Sequence, residues 1–312
     1  MTRTALLLLA CGLAACKGYR THGFKEQQKL GGKVVPAQVL TAGERAYVQY
    51  CRACHGDKGD GKGPAARGVR PPPRDFTLGT FKFGAVPSGT LPHDEDLERV
   101  IRNGLHGTAM LAWDGVPADK VQQIVQYLKT FSQRWKDEEP GEQIVPTPDP
   151  WKGKEADGIA RGRRTYHVLA QCLGCHPSYA SKPEINRMSI ELTGNPKTDF
   201  RDDMYGSELK ESDYGVKLLP PDFLRSELRS IRADHQLEDL YRVIASGVGG
   251  TAMPTWRGSL PEEEIWALTH FVDSLVAMKG TEDARRLRER LPAEDAHWTP
   301  PPETAPPQPQ QK

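Results

Sequence analysis

The chain has 312 residues, a length that corresponds to about two domains. Its 42 basic and 41 acidic residues nearly balance, which excludes the strongly basic surface of a nucleic-acid-binding protein. Hydrophobic residues make up only 37% of the sequence, and the 30 glycines and 26 prolines predict small cores with many ordered loops.

The N-terminus resembles a bacterial export signal. Arg3 precedes a short apolar run that ends in Leu-Ala-Ala and Cys16, the arrangement of a lipobox, in which the cysteine is lipidated after cleavage. The run is shorter than the roughly 20 apolar residues that span a bilayer. We expect residues 1–16 to be a signal peptide, Cys16 to carry lipid on the periplasmic side of a membrane, and residues 17–40 to form a polar tether. An ordinary secretory signal cut nearby is the alternative.

Apolar residues at helical spacing predict two helices in each half of the chain's central part, one at its start and one at its end. The first pair covers residues 43–50 and the stretch after Pro117, and the second pair covers residues 161–170 and the stretch after Pro261. No strand of useful length is predicted. The sequence therefore predicts an all-α fold.

The expected domains follow from these helices and from composition. Residues 41–135 form the first domain and residues 156–279 the second. A linker rich in Pro and Glu joins them at residues 136–155, and a C-terminal extension with a disordered Pro-rich tail follows at residues 280–312.

Two short motifs have the pattern C-x-x-C-H. The cysteines are Cys51, Cys54, Cys172 and Cys175, and the histidines are His55 and His176. Two thiols at this spacing can bond the two vinyl groups on one edge of a haem, and the adjacent histidine then reaches the iron from one side. The motifs predict two covalently bound haem c groups. A redox dithiol would need a βαβ context, and one zinc site built from both pairs would not explain the histidine after each.

An internal repeat places the two motifs in equivalent surroundings. Without a gap, 11 of the 18 positions of residues 96–113 are identical to those of residues 239–256. Both copies contain Gly-Thr-Ala-Met, which places Met110 and Met253 as second axial ligands of the iron, because a thioether favours reduced iron. A lone methionine would more often be core packing. Four histidines compete for this role and are each expected at the surface: His93, His106, His167 and His235.

Both halves resemble class I c-type cytochrome domains in their order of helix, C-x-x-C-H, long loop, helix, methionine loop and C-terminal helix. The resemblance covers about residues 41–279. It implies that His55 and His176 are the proximal ligands and that Met110 and Met253 are the distal ligands of the two irons.

The resemblance also assigns residues around the haem. Pro64 resembles the family proline whose carbonyl accepts the N–H of the proximal histidine. The loop of the second half is about 22 residues longer, and either Pro183 or Pro196 could take that role there. Haem propionates that are partly buried need cationic neighbours. Three arginines are candidates, with a solvated surface position as the alternative: Arg74, Arg99 and Arg242.

These parts imply an electron carrier, since no catalytic residue stands out. Residues 52–82 contain seven basic and three acidic residues, whereas residues 184–213 contain eight acidic and four basic. One face could therefore meet an electron donor and another an acceptor, with charged loops that only keep the protein soluble as the favoured alternative. A fixed subunit of a membrane respiratory complex has the same chemistry. The alternative class is a two-haem peroxidase with one open distal site.

Overall fold

A computed structural model describes residues 21–301, so that Cys16 and the predicted signal peptide lie outside the described residues. The described chain is mainly helical, as predicted. None of its helices is both long and apolar enough to cross a membrane. The helices are α1 (Ala37–Tyr50), α2 (Arg52–His55), α3 (Asp94–Asn103), α4 (Ala118–Lys129), α5 (Arg134–Asp137), α6 (Glu155–Arg164), α7 (Lys182–Thr193), α8 (Gln236–Ser246), α9 (Glu262–Ala277) and α10 (Glu282–Asp295).

Each half is built on a close crossing between its first and last large helices, α1 with α4 and α6 with α9. A glycine stands at each crossing. A Cβ at Gly43 would overlap the carbonyl oxygen of Gln123, and a Cβ at Gly162 would overlap that of Ala267. Each crossing therefore requires the absence of a side chain. Two separate hydrophobic cores form, one around each crossing.

The second half reaches its C-x-x-C-H motif by a different local path. Tyr166, which corresponds to Tyr47 of the first half, lies two residues further from the cysteines of its motif. The structure accommodates the extra residues by a π-helical turn, Thr165–Leu169, and by a left-handed residue, Gln171 at φ 49°. The ring of Tyr166 still packs on α9, with 5.4 Å between its centroid and that of the Phe271 ring.

Residues 21–40 of the predicted tether are ordered. The prediction of a tether is therefore wrong for these residues. A hairpin of β1 (Gln28–Leu30) and β2 (Lys33–Val35) precedes α1. Leu30 is fully buried in the first core, which also contains Trp135. Burial of this side chain favours an ordered segment over a free tether.

The predicted linker and C-terminal extension are also packed against the domains. Ile144 is buried in the second core, and its N–H donates to the carbonyl of Ala85 in the first half (2.7 Å). The extension forms α10, whose Leu291 is buried. Asp295 near its end accepts the N–H of Lys182 (2.7 Å), the first residue of α7. The predicted disordered Pro-rich tail, from residue 300 onward, lies almost entirely outside the described residues.

The two halves contact each other through equivalent backbone positions. The N–H of His106 donates to the carbonyl of Arg229 (2.9 Å), and the N–H of Gly249 donates to the carbonyl of Lys82 (3.1 Å). His106 and Gly249 occupy the same place in the repeat. Lys82 and Arg229 each stand six residues after the phenylalanine of an Asp-Phe pair. The contact is reciprocal, as across the axis of a two-fold symmetric dimer.

Tyr214, the residue directly after the acidic stretch at residues 184–213, contacts the basic loop of the first half at this interface. The N–H of Asp213 donates to the carbonyl of Gly250 (3.1 Å). The next residue, Tyr214, lies under the guanidinium of Arg74, whose carbon is 3.8 Å from the ring centroid. The C-terminal end of the acidic stretch therefore lies close to the basic loop of the first half.

The helix crossing of the second half can be tested at Gly162. We expect Gly162→Ala to lower the free energy of unfolding by about 2 kcal/mol, because a methyl group there forces α6 and α9 apart. Denaturant unfolding followed by circular dichroism measures the change. Gly115→Ala is the control, since a Cβ at Gly115 meets no atom within 4 Å. Equal stability of the two variants would contradict the close crossing.

Candidate functional site

The two C-x-x-C-H motifs have the same backbone hydrogen bond in different local structures. The first motif covers α2, and the second begins in a 3-10 turn. In both, the histidine N–H donates to the carbonyl of the first cysteine, at 3.0 Å for His55 and 2.9 Å for His176. The four cysteines are free of disulfide bonds. The two thiols of each motif are therefore available for another covalent bond.

A tyrosine of the preceding helix fixes the end of each motif. The hydroxyl of Tyr47 donates to the carbonyl of Gly56 (2.7 Å), and the hydroxyl of Tyr166 donates to the carbonyl of Pro177 (2.8 Å). Gly56 and Pro177 directly follow the motif histidines. The helix crossing of each half thus holds its motif in place.

Both motif histidines are oriented by a backbone carbonyl. Nδ1 of His55 lies 3.1 Å from the oxygen of Arg74, and Nδ1 of His176 lies 3.0 Å from the oxygen of Pro221. Since a carbonyl can only accept, Nδ1 carries the proton and Nε2 keeps a lone pair for a metal. Burial lowers the pKa of both imidazoles, which favours this neutral form.

The prediction that Pro64 supplies this carbonyl is wrong. The oxygen belongs to Arg74 in the first half, and in the second half it belongs to Pro221 and to neither Pro183 nor Pro196. Arg74 and Pro221 each stand directly before an Asp-Phe pair. That shared pair was the signal in the sequence, because it marks equivalent positions despite the unequal loop lengths.

The phenylalanine of each Asp-Phe pair packs on the imidazole. Phe76 stacks on His55 with 4.5 Å between ring centroids, and Phe223 stacks on His176 with 5.0 Å. The same short segment therefore supplies both the carbonyl that accepts the hydrogen bond of the imidazole and the phenylalanine that stacks on it. Sequence analysis missed this role of the two phenylalanines.

The methionine loops also have the same hydrogen bonds in both halves. In the first, the N–H of Leu105 donates to the carbonyl of Met110 (2.8 Å), and the N–H of Met110 donates to the hydroxyl of Thr108 (3.1 Å). Gly104 has φ 65°, and a Cβ there would lie 2.6 Å from the Met110 oxygen. The corresponding residues of the second half are Gly247, Val248, Thr251 and Met253.

One cavity contains all the predicted ligands of the first half. Cys51, Cys54 and His55 line it together with Met110, and apolar side chains form much of its wall. In the second half, Cys172 and Met253 pack against one hydrophobic core. Thiols, an imidazole with a free Nε2 and a thioether thus meet at one apolar space. This set of groups fits a covalently attached haem.

The three candidate arginines differ in their contacts. Arg74 lines the first cavity. Arg99 forms an ion pair with Asp96 and is not part of the cavity wall. Arg242 is buried and binds Asp239 through Nη1 (2.7 Å), but its Nε and Nη2 have no hydrogen-bond partner among the described residues. Two further cations, Lys82 and Arg229, line the first cavity and were missed by sequence analysis.

Neither the zinc alternative nor the competing histidines are supported in the described part of the chain. No group of three or more His, Cys, Asp or Glu side chains there could hold a metal ion. His106 and His235 are exposed. Nε2 of His93 lies 2.8 Å from the carbonyl of Gly141. His167 was expected at the surface but is fully buried.

A family model described as cytochrome c oxidase, cbb3-type, subunit III matches two regions, residues 38–128 and 157–272. The chain belongs to this cytochrome c family. Each matched region contains one C-x-x-C-H motif and one methionine loop, so both halves are cytochrome c-type domains. Such domains carry covalent haem c and transfer electrons.

The cytochrome fold also has a match among solved structures. A chain of a reducing HAO-like protein complex from Kuenenia stuttgartiensis is similar, with a TM-score of 0.59 and 32% sequence identity. The similarity covers 75% of this cytochrome and 96% of that chain. A comparison with curated proteins gave no match.

The buried His167 predicts a pH-dependent stability. Its Nδ1 lies 2.7 Å from the carbonyl of Arg163, and its Nε2 accepts the N–H of Tyr179 (3.1 Å). Burial lowers its pKa to about 3, below the value of about 6.5 expected for the unfolded chain. The stability from the neutral ring is therefore complete above pH 6.5 and is lost as pH falls toward 3.

We expect the free energy of unfolding to lose about 2 kcal/mol from this group between pH 7 and pH 5. His167→Gln keeps an acceptor for Tyr179 without the titration and should show a correspondingly smaller loss. Denaturant unfolding at the two pH values measures it. His235→Gln removes an exposed histidine and should behave as the wild type. An unchanged pH dependence in His167→Gln would contradict the assignment.

Proposed function

We propose that this cytochrome binds two haem c groups, one in each half, and transfers electrons between redox proteins of the bacterial cell envelope. The observation that carries the proposal is the repeated histidine geometry. In both halves Nδ1 is held by a carbonyl and Nε2 is left with a lone pair. That arrangement prepares an imidazole to bind iron from one side.

In this proposal the side chains take the same roles in each half. The cysteines would hold the haem through thioether bonds, and the iron would be bound by His55 and Met110 in the first half and by His176 and Met253 in the second. The bound haem supplies one-electron chemistry. The protein holds each imidazole in one tautomer, holds each methionine loop by backbone hydrogen bonds, and keeps water from the apolar cavity.

The proposed setting is a membrane-associated respiratory complex. The family description names an oxidase subunit, and the similar solved chain is part of a protein complex. Both support a cytochrome that works with a fixed partner on one side and receives or passes electrons on the other. Such transfer needs only a haem edge and a small contact surface.

The haem content and the distal ligands test the proposal. We expect two haems per chain that stay attached after acid denaturation and extraction with organic solvent. Met110→Leu should then lower the midpoint potential of one haem only, by on the order of 0.1 V, because the thioether that favours reduced iron is removed. Met253→Leu should do the same to the other haem. Spectroelectrochemical titration measures both shifts.

Two results would count against the proposal. One is a chain with fewer than two covalent haems. The other is native reduced protein that binds carbon monoxide tightly at one haem and oxidises added donors with peroxide, since that requires an open distal site and favours the peroxidase alternative. Met188→Leu is a matched control, because Met188 is a core methionine of α7. It should leave both potentials unchanged.

We also propose that Cys16 is lipidated and anchors the cytochrome on the periplasmic side of a membrane. The support is the short apolar run that ends in Leu-Ala-Ala-Cys. Cys16→Ser should release the protein into the soluble periplasmic fraction, which fractionation and mass spectrometry of the N-terminus would detect. A wild-type chain that is found on the membrane without lipid would locate the anchor elsewhere.

A further inference from the structure

Three cations lie together in the wall of the first cavity. Arg74, Lys82 and Arg229 all line the cavity and are half-buried. Among the described residues none of them forms an ion pair. Burial and the two neighbouring guanidinium groups lower the pKa of Lys82 to about 8. Bringing three like charges together in this way costs free energy unless a counter-charge is bound.

The aromatic ring of Tyr214 holds two of these cations in place. The guanidinium carbon of Arg74 lies 3.8 Å and Nζ of Lys82 lies 5.0 Å from the ring centroid. The Tyr214 hydroxyl donates to the carbonyl of Gly249 (2.8 Å). The face of the ring attracts cations but carries no net charge, so it positions the cluster without neutralising it.

The third cation comes from the other half of the chain. Arg229 belongs to the second half, and its carbonyl accepts the N–H of His106 beside the first methionine loop (2.9 Å). This backbone bond places the Arg229 side chain at the wall of the first cavity. The first site is therefore incomplete without the second half.

We propose that Arg74, Lys82 and Arg229 bind the two propionates of the haem in the first half, with Arg229 supplied across the interface by the second half. This inference rests on the proposed function, because it needs a haem in the first cavity. A haem has two carboxylates, and half-buried carboxylates are stabilised by charge-assisted hydrogen bonds. The pairing supplies these three cations with the ion pair that none of the described protein residues forms with them.

A consequence is that the second half tunes the first haem electrostatically. A positive charge near a haem favours the reduced form, because oxidation adds positive charge to the iron centre. Loss of the Arg229 charge should therefore make the first haem harder to reduce. The second haem should change much less, since Arg229 lines the first cavity.

The test uses the full-length chain with both haems attached, as shown by covalent haem content. At a fixed ambient potential, Arg229→Gln should lower the ratio of reduced to oxidised first haem by about tenfold. Spectroelectrochemical titration measures the ratio, and the component that also moves in Met110→Leu is the first haem. Arg229→Lys keeps the charge and should restore most of the wild-type ratio. The backbone bond to His106 is unchanged in both variants.

The matched control is Arg225→Gln, which removes an exposed arginine four residues away on the same segment. It should leave both ratios close to wild type. An Arg229→Gln variant with two haems and an unchanged first component would overturn the inference, as would equal shifts in both haems. If the first cavity holds no haem, covalent haem content shows it directly, and the inference then fails together with the proposed function.

Discussion

The hydrogen bond between each motif histidine and a distant backbone carbonyl is the constraint on which the site depends. It spans 19 residues in the first half and 45 in the second, yet the Nδ1–oxygen distances differ by little, at 3.1 and 3.0 Å. The Asp-Phe segment that follows the carbonyl also supplies the ring that stacks on the imidazole. Loops of different length therefore lie between these fixed ends in the two halves, and the hydrogen bond of the histidine is the same in both.

The second half uses this freedom. Its long loop contains α7, which α10 covers from the C-terminal side, so the extra chain has its own packing and its own cap. The same loop leads to Tyr214, which contacts the first half. An insertion that leaves the histidine–carbonyl geometry unchanged thus also provides a contact between the domains.

Local chemistry was predictable from the sequence, and long-range packing was not. The C-x-x-C-H motifs and the methionine loops are defined by residues that are close together in the sequence. Gly104 and Gly247 occur at the same position of the repeat, because a Cβ there would overlap the backbone of the methionine loop. The tether, the linker and the extension look polar, since each is fixed by only a few buried side chains whose partners lie far away. Leu30 and Ile144 show this, because neither belongs to a periodic apolar pattern. The assignment of the accepting carbonyl to Pro64 failed for the same reason, since the residue that supplies this carbonyl, Arg74, lies 19 residues from His55.

The reciprocal backbone bonds between the halves have a consequence for how such a chain could arise. The donors of these bonds are peptide N–H groups at one repeat position, and the acceptors are peptide carbonyls at another. Peptide groups are present whatever the side chain, so the two copies could diverge in sequence without losing the contact. A single half carries both the donor and the acceptor and is therefore complementary to itself. The molecule has the geometry of a homodimer whose two subunits have been joined into one chain.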